Sequence, residues 1–428
     1  MEFEEIMRRI FALVSILGFF QLEVQAAPRE YEFGAGAISS GLAGSGVASL
    51  GTAAATYLNP ANLSRCERSS FELGGRYLTS LMNVNQTVGP KKPVHLAQDS
   101  FILELGGCAA PLVGLGIGVW VASDTLKPVT LGLTTNTDDI YFTRFGSALA
   151  SPTIMAGVGY SFIPQVALGI SVLVTMRTLL TQDVFAPLAS SSGVFSTAVG
   201  ANVSARASVV AGLTLRPWNF VSVGAAFRTA NYGRLDIDAK TEASALGIRV
   251  PVHMFLSGVH DYSPRQYAFG ATFKPWDCLS LITDLNYAAW SKYQGPFLSV
   301  TPDPESSVST GIALPALEFS FKDVWTPRVG AELLLLDDIA LRAGYSYHPA
   351  IIDVPKLKAN LIDGDTHEVT LGAGYKTNND VFGFRADIFV GLHMMPSVAV
   401  RKGDLLTTLA YEFGGFAVSS GFTTAIEF

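Results

Sequence analysis

The sequence predicts an all-β protein, a 14-stranded antiparallel transmembrane β-barrel with an N-terminal hatch, or plug, inside its lumen. Three observations predict it. Hydropathy is high although nothing beyond residue 26 is long and apolar enough to be a spanning helix. From about residue 69 the chain alternates apolar and polar residues, cut in turn by tight turns and long loops. Ahead of that pattern lies an uncharged segment with nowhere obvious to go.

Composition sets the class. Charged residues are 15% of the 428, against roughly 25% in average soluble proteins, while aromatics reach 11%. High hydropathy without a spanning helix leaves the closed barrel, because only there does every strand find a backbone partner in lipid. The formal charge of −7 excludes a generally basic, nucleic-acid-seeking surface. Cys66, Cys108 and Cys278 lie far apart, and the six histidines are scattered. No metal spacing, cofactor motif or disulfide framework follows from them.

Residues 1–26 read as an export signal, with Arg8 and Arg9 as positive charge, "IFALVSILGFF" (10–20) as apolar core and Val24-Gln25-Ala26 as cleavage site. The acidic leader before Met7 is atypical, and Met7 is an alternative start. Residues 27–68 follow. From Gly34 to Ala61 there is no Asp, Glu, Lys, Arg or His. A barrel of about 16–18 strands encloses an aqueous channel, and one of about 8 fills itself with side chains. Fourteen strands leave a bore, and an uncharged Gly/Ala/Ser-rich segment packs into it at little desolvation cost. A disordered periplasmic tail is the alternative.

Residues 69–428 carry the barrel. Six interruptions have turn chemistry: "PLVG" (111–114), "FIPQ" (162–165), "RPWN" (216–219), "KPWD" (274–277), "LDDI" (336–339) and "TNND" (377–380). Longer irregular stretches lie between them, near 83–98, 127–150, 179–199, 233–262, 294–323, 351–363 and 395–410. Short turns on one side and long loops on the other, with an even strand count, are the outer-membrane pattern. No blade repeat supports a propeller.

The alternation sorts residues by face. In "QVALGISVLVTMR" (165–177), Val166, Leu168, Ile170, Val172 and Val174 oppose Gly169, Ser171, Thr175 and Arg177. In "ARASVVAGLTLR" (205–216), Val209, Ala211, Leu213 and Leu215 oppose Arg206, Ser208 and Thr214. Val329 and Leu333 oppose Arg328 and Glu332; Leu341 and Tyr345 oppose Arg342 and Ser346; Phe384 and Ile388 oppose Arg385 and Asp387. No charge falls on the apolar face, where a mid-bilayer Arg or Lys costs about 2–4 kcal/mol. A large β-sandwich also alternates, but its solvent face should carry more Lys and Glu. The last strand ends on alternate Phe422, Thr424, Ile426 and Phe428, and looks like the terminal signal that outer-membrane barrels present to their assembly machinery.

"TYLNPANLS" (56–64) resembles the hatch motif of the FadL/TodX family, outer-membrane transporters of long-chain fatty acids and aromatic hydrocarbons. "LSLITDLNYAAWSKY" (279–293), "TPRVGAELLLLDDIALRAGYSYHPAIIDVP" (326–355) and "IDGDTHEVTLGAGYK" (362–376) resemble further family segments, with His348 and Thr366 departing from them. The resemblance implies a monomeric barrel closed by a hatch whose tip is Asn59-Pro60-Ala61. It also implies a kinked third strand that opens the wall sideways. Here that strand begins "GLGIGVWVA" (114–122). Gly114, Gly116 and Gly118 suit either a kink at a gate or room for the plug.

Function is expected to be passive uptake of fatty acids or other hydrophobic small molecules, with outer-membrane lipid around the wall and neither enzyme activity nor nucleic acid involved. Capture is expected on the loops at 131–142 or 180–195. Arg177, Arg206, Arg328 and Arg342 either steer a carboxylate or pair with Glu332, Asp284 and Asp387 in the lumen. Three rivals differ in class: a general diffusion porin, a structural or adhesive barrel, and an outer-membrane lipase built on Ser346 and His348.

Overall fold

The computed structural model describes residues 33–96, 99–124, 139–144, 153–175, 198–203, 207–245, 248–293, 295, 299–302, 320–335, 338–355, 360–378, 382–403 and 408–428. The export signal, the loop at 180–195, most of that at 131–142, and the candidates Arg177 and Arg206 lie outside the described residues.

Fourteen strands close into one barrel. They are β1 (Ser70–Val88), β2 (Ser100–Leu112), β3 (Leu115–Asp124), β4 (Thr153–Ile163), β5 (Val166–Thr175), β6 (Ala207–Trp218) and β7 (Val221–Arg228). Then come β8 (Gln266–Trp276), β9 (Leu279–Ala288), β10 (Val324–Leu335), β11 (Ile339–His348), β12 (Thr366–Asn378), β13 (Gly383–Gly403) and β14 (Thr408–Glu427). Each pairs antiparallel with its chain neighbours, and β1 meets β14 to close the ring, from Ser70 opposite Glu427 onward. Among the described residues no helix is long and apolar enough to cross a membrane.

Parity decides what each strand shows the bilayer. Arg328 is 2% exposed and its neighbour Val329 49%; Asp387 is 0% exposed and Ile388 59%. The outer surface is thus a coat of aliphatic and aromatic side chains, and the charges turn inward. At the short-turn end Trp218, Phe220, Trp276 and Phe162 are exposed, and Trp218 stacks on Phe220 with centroids 6.0 Å apart. Amphipathic rings at that level form the aromatic girdle of a membrane interface.

The four tight turns that lie wholly among the described residues, at 111–114, 162–165, 216–219 and 274–277, fall where turn chemistry places them. Between β2 and β3 only Val113 and Gly114 remain, both at positive φ, +52° and +82°, as a two-residue hairpin turn requires. Gly114 is therefore a turn residue and does not share the inner face of β3 with Gly116 and Gly118.

The long-loop end is more ordered than its irregular sequence suggests. The stretch 233–262 is a hairpin, Asn231–Ala245 with Ile248–Ser263, flanked by Ala198–Val203 and Ser299–Pro302 in a four-stranded sheet. Strand β1 runs on to Val88 and β13 to Gly403, so the loops around them are shorter than expected. Val94–His95, Ile140–Phe142 and Asn360–Ile362 pair in parallel as a third small sheet over the bore.

Ahead of β1, the segment 33–66 packs inside the barrel against its inward-facing side chains. It contains helix α1 (Gly36–Gly41), helix α2 (Ala55–Leu58) and a 3-10 helix from Pro60 to Arg65. Asn59 starts the last in extended conformation, its side chain accepting the Ala61 amide, with Pro60 at the first helical position. Both are favoured helix-start chemistry.

Candidate functional site

A segment without charged side chains presents backbone N–H and C=O groups, and a polar barrel wall can answer them. The wall does so almost strand by strand. Thr423 on β14 accepts the Ala37 amide at 3.0 Å, and Thr370 on β12 accepts the Ala43 amide while donating to the Gly41 carbonyl at 2.9 Å. Asp284 on β9 receives both the Gly46 and Val47 amides, at 2.7 and 3.1 Å. Glu72 on β1 accepts the Ala53 amide at 3.2 Å, and Ser171 on β5 donates to the Thr56 carbonyl at 2.7 Å. Thr272 on β8 bonds Ser49, and Ser161 on β4 bonds Ser64. On β7 the Arg228 guanidinium donates to the Tyr57 carbonyl and lies 3.7 Å from the ring centroid of the same residue.

Asn59 sits at the tightest part. Its amide donates to the Val47 carbonyl at 2.7 Å, the Leu213 carbonyl at 3.1 Å and the Thr214 hydroxyl at 3.0 Å. Thr214 in turn donates to Asn62 at 2.7 Å. Hatch loop, hatch tip and β6 are thereby one hydrogen-bonded unit. Pro60 and Ala61 are buried beside it.

At four adjoining positions the wall opposite the tip carries no side chain. Gly116, Gly159, Gly169 and Gly212 are successive cross-strand partners on β3, β4, β5 and β6. A Cβ on Gly116 would collide with the Leu63 carbonyl, on Gly169 with the Pro60–Ala61 peptide, and on Gly212 with the Asn59 side chain. Gly118 lies against Leu63 in the same way. The glycines of β3 give clearance for the docked segment. From Leu115 to Ala122 the pairing of β3 with β4 is unbroken, and that with β2 holds from Ile117 to Asp124. Opposite Gly116 the register with β2 shifts, between Ala109 and Leu112.

The other half of the wall is polar. Asp284, Arg328, Ser346, Glu368 and His393 face one another in sequence across β9 to β13. Arg328 donates to the Gly44 carbonyl at 2.9 Å, so the hatch engages it. Arg342 donates to Glu332 and Asp387, each at 2.6 Å. Neither guanidinium stands open to a ligand. Two further clusters line the lumen: Arg76 pairs with Glu104 at 2.8 Å, a pair the sequence pattern did not single out, and Arg385 pairs with Glu72, Asp387 and Glu427. Ser346 and His348 do meet, at 2.7 Å, but Glu368 approaches the same Nε2 of His348 at 3.4 Å. An orienting carboxylate belongs on Nδ1, so this is not a nucleophile relay. Among the described residues no group of His, Cys, Asp and Glu is arranged to hold a metal ion.

Apolar surface gathers above the hatch. Phe33, Met82, Met395, Phe413, Phe142 and Ile362 belong to one buried cluster, bounded below by the start of the hatch and above by the small parallel sheet. The sheet alternates like any other. Ile140, Phe142 and Ile362 enter this inner cluster, and Tyr141 and Leu361 enter a second, outer one with Tyr262, Trp290, Tyr293 and Phe321. Tyr262 and Tyr293 stack there at 4.7 Å, and burial, with Asp323 nearby, pushes the Tyr262 phenol up to about 12. Arg144 pins the sheet to the barrel. It pairs with Asp363, just past the sheet's own strand, at 2.9 Å, donates to the Gly364 carbonyl, and reaches the barrel at the His348 carbonyl of β11 and the Thr366 hydroxyl of β12, each at 3.5 Å.

Residues 262–382, the stretch that spans β8 to β12, match the model of a family described as outer membrane protein transport protein (OMPP1/FadL/TodX). Three of the four segments that suggested this resemblance lie inside that range, and Asn59-Pro60-Ala61 lies outside it. Among solved structures the chain is similar to a Pseudomonas aeruginosa FadL homologue, with TM-score 0.62 and 13% identity over 92% of this chain and 98% of that one. It is also similar to the P. putida toluene transporter TodX, with TM-score 0.57 and 17% identity over 93% and 99%. The Ralstonia pickettii toluene transporter TbuX gives 0.51 and 15% over 93% and 99%. No curated protein sequence matches the chain. At these identities the likeness is one of fold.

Proposed function

We propose that this chain is an outer-membrane channel for passive uptake of hydrophobic small molecules, gated by movement of its hatch. The observation that carries the reading is the pair of buried apolar clusters stacked above a hatch that seals the bore. The aromatic outer cluster is the capture surface, and the inner cluster around Phe33 and Phe413 is the lumenal seat. The matching family model and the toluene transporters of like fold support the substrate class.

The same physics favours a sideways exit. Each buried methylene favours an apolar environment by about 0.8 kcal/mol, so release of a long acyl chain straight into water is steeply uphill. Release into the bilayer avoids that step. In the sealed state Leu63 fills the groove at Gly116 and Gly118. Its withdrawal leaves β3 with no side-chain packing at those positions, which makes its ladders the weakest part of the wall. Exit there requires them to part. The chain works as a monomer, and the strand ending at Phe428 engages the barrel-assembly machinery.

Uptake of labelled oleate and toluene by cells with and without the protein tests the proposal. Faster uptake of at least one with the protein supports it, and equal uptake of both contradicts it. A diffusion porin instead predicts liposome swelling in sugars.

A further inference from the structure

Two of the three cysteines, 42 positions apart, come together in the folded chain. Cys66 ends the 3-10 helix of the hatch, and Cys108 lies on β2 with its side chain turned inward. They pack in one buried cluster with Ala55 and Leu63. Ser70, the cross-strand partner of Cys108, places its hydroxyl 3.4 Å from the same sulfur. Cys278 is exposed in the turn between β8 and β9, away from this pair. The outer-membrane barrel fold implies passage through the periplasm, where dithiols are driven to disulfides.

We propose that Cys66 and Cys108 form a disulfide in the assembled protein, a covalent tie between the root of the hatch and the barrel wall. The oxidant is a protein disulfide of the periplasmic thiol-oxidase class. One cysteine thiolate attacks it to form a mixed disulfide, and the second displaces the carrier. Two electrons and two protons leave the cysteines, and the carrier departs as a dithiol. Both sulfurs are buried once the hatch is seated, so the exchange belongs to assembly. The tie sets what can move. With Cys66 fixed to β2, the hatch swings about its root and cannot be drawn out whole.

The protein extracted from outer membranes is denatured, labelled with a maleimide without reductant, and weighed. The expected result is one label per chain, on Cys278, rising to three after reduction. In the unreduced digest the peptides carrying Cys66 and Cys108 run linked and two hydrogens lighter than their sum. Three labels before reduction, or a link through Cys278, overturns the proposal. In C66S the freed Cys108 raises the unreduced count to two. If that variant fails to assemble, the native count decides alone. No readout here depends on transport, so failure of the tie and failure of the uptake reading are distinguishable.

Discussion

The Asn59 amide and the Thr214 hydroxyl, 3.0 Å apart, join the tip of the hatch to the middle of β6. The same amide holds two carbonyls, the buried Val47 and the half-buried Leu213. Replacing Asn59 with Ala takes the side-chain acceptor from the Ala61 amide and leaves the Val47 carbonyl to Asn62 alone, and an unmet buried polar group costs about 1–3 kcal/mol. N59A is expected to assemble as a heat-modifiable barrel while its hatch becomes several-fold more sensitive to protease. Unchanged protease sensitivity would contradict the role of Asn59.

Gly169 touches the Pro60–Ala61 peptide with nothing flexible between them. Overpacking by added carbons costs about 1–3 kcal/mol, and here the hatch, held by hydrogen bonds, is the part that yields. G169V is expected to let sugars leak in liposome swelling, whereas L168A, one residue away on the lipid side, stays tight.

Arg342 bridges Glu332 and Asp387 inside the wall. Breaking a buried pair costs up to about 3–5 kcal/mol, and here less, because Asp387 keeps Arg385 at 3.1 Å and Glu332 is partly exposed. R342A is expected to lower the urea midpoint of unfolding, yet to leave unchanged the preference for a fatty acid over its methyl ester. A selective loss of fatty-acid affinity would return Arg342 to the role of carboxylate guide.

Arg144 ties the small parallel sheet to the ends of β11 and β12, over the inner apolar cluster. R144A is expected to speed both binding and release of a fluorescent hydrophobic probe, measured by stopped flow, with less effect on the equilibrium constant. Slower exchange would contradict a covering role for that sheet.

Faces and turns were legible in the sequence because they depend on neighbours in the chain. Val329 beside Arg328 and Ile388 beside Asp387 announce inside and outside without knowledge of any partner. The parallel sheet was not legible. Its segments are two or three residues long, come from three loops, and have no period to read. The glycines of β3 show a deeper limit. A kink and a clearance demand the same missing Cβ, and only Leu63, some fifty positions earlier, distinguishes them. Arg328 is similar: its inward face was readable, but its partner, the Gly44 carbonyl, carries no side-chain signal.

Pinning the hatch tests the central claim most directly. Ser49 and Thr272 already lie oxygen to oxygen at 2.9 Å between hatch and β8, so S49C/T272C, made with C278S, locks the hatch to the far side of the wall from its root. Uptake of labelled toluene is expected to stop in the oxidised variant and to recover on reduction, while neither single variant responds. Equal uptake by the locked and reduced forms would mean that the hydrophobic cargo passes without moving the hatch.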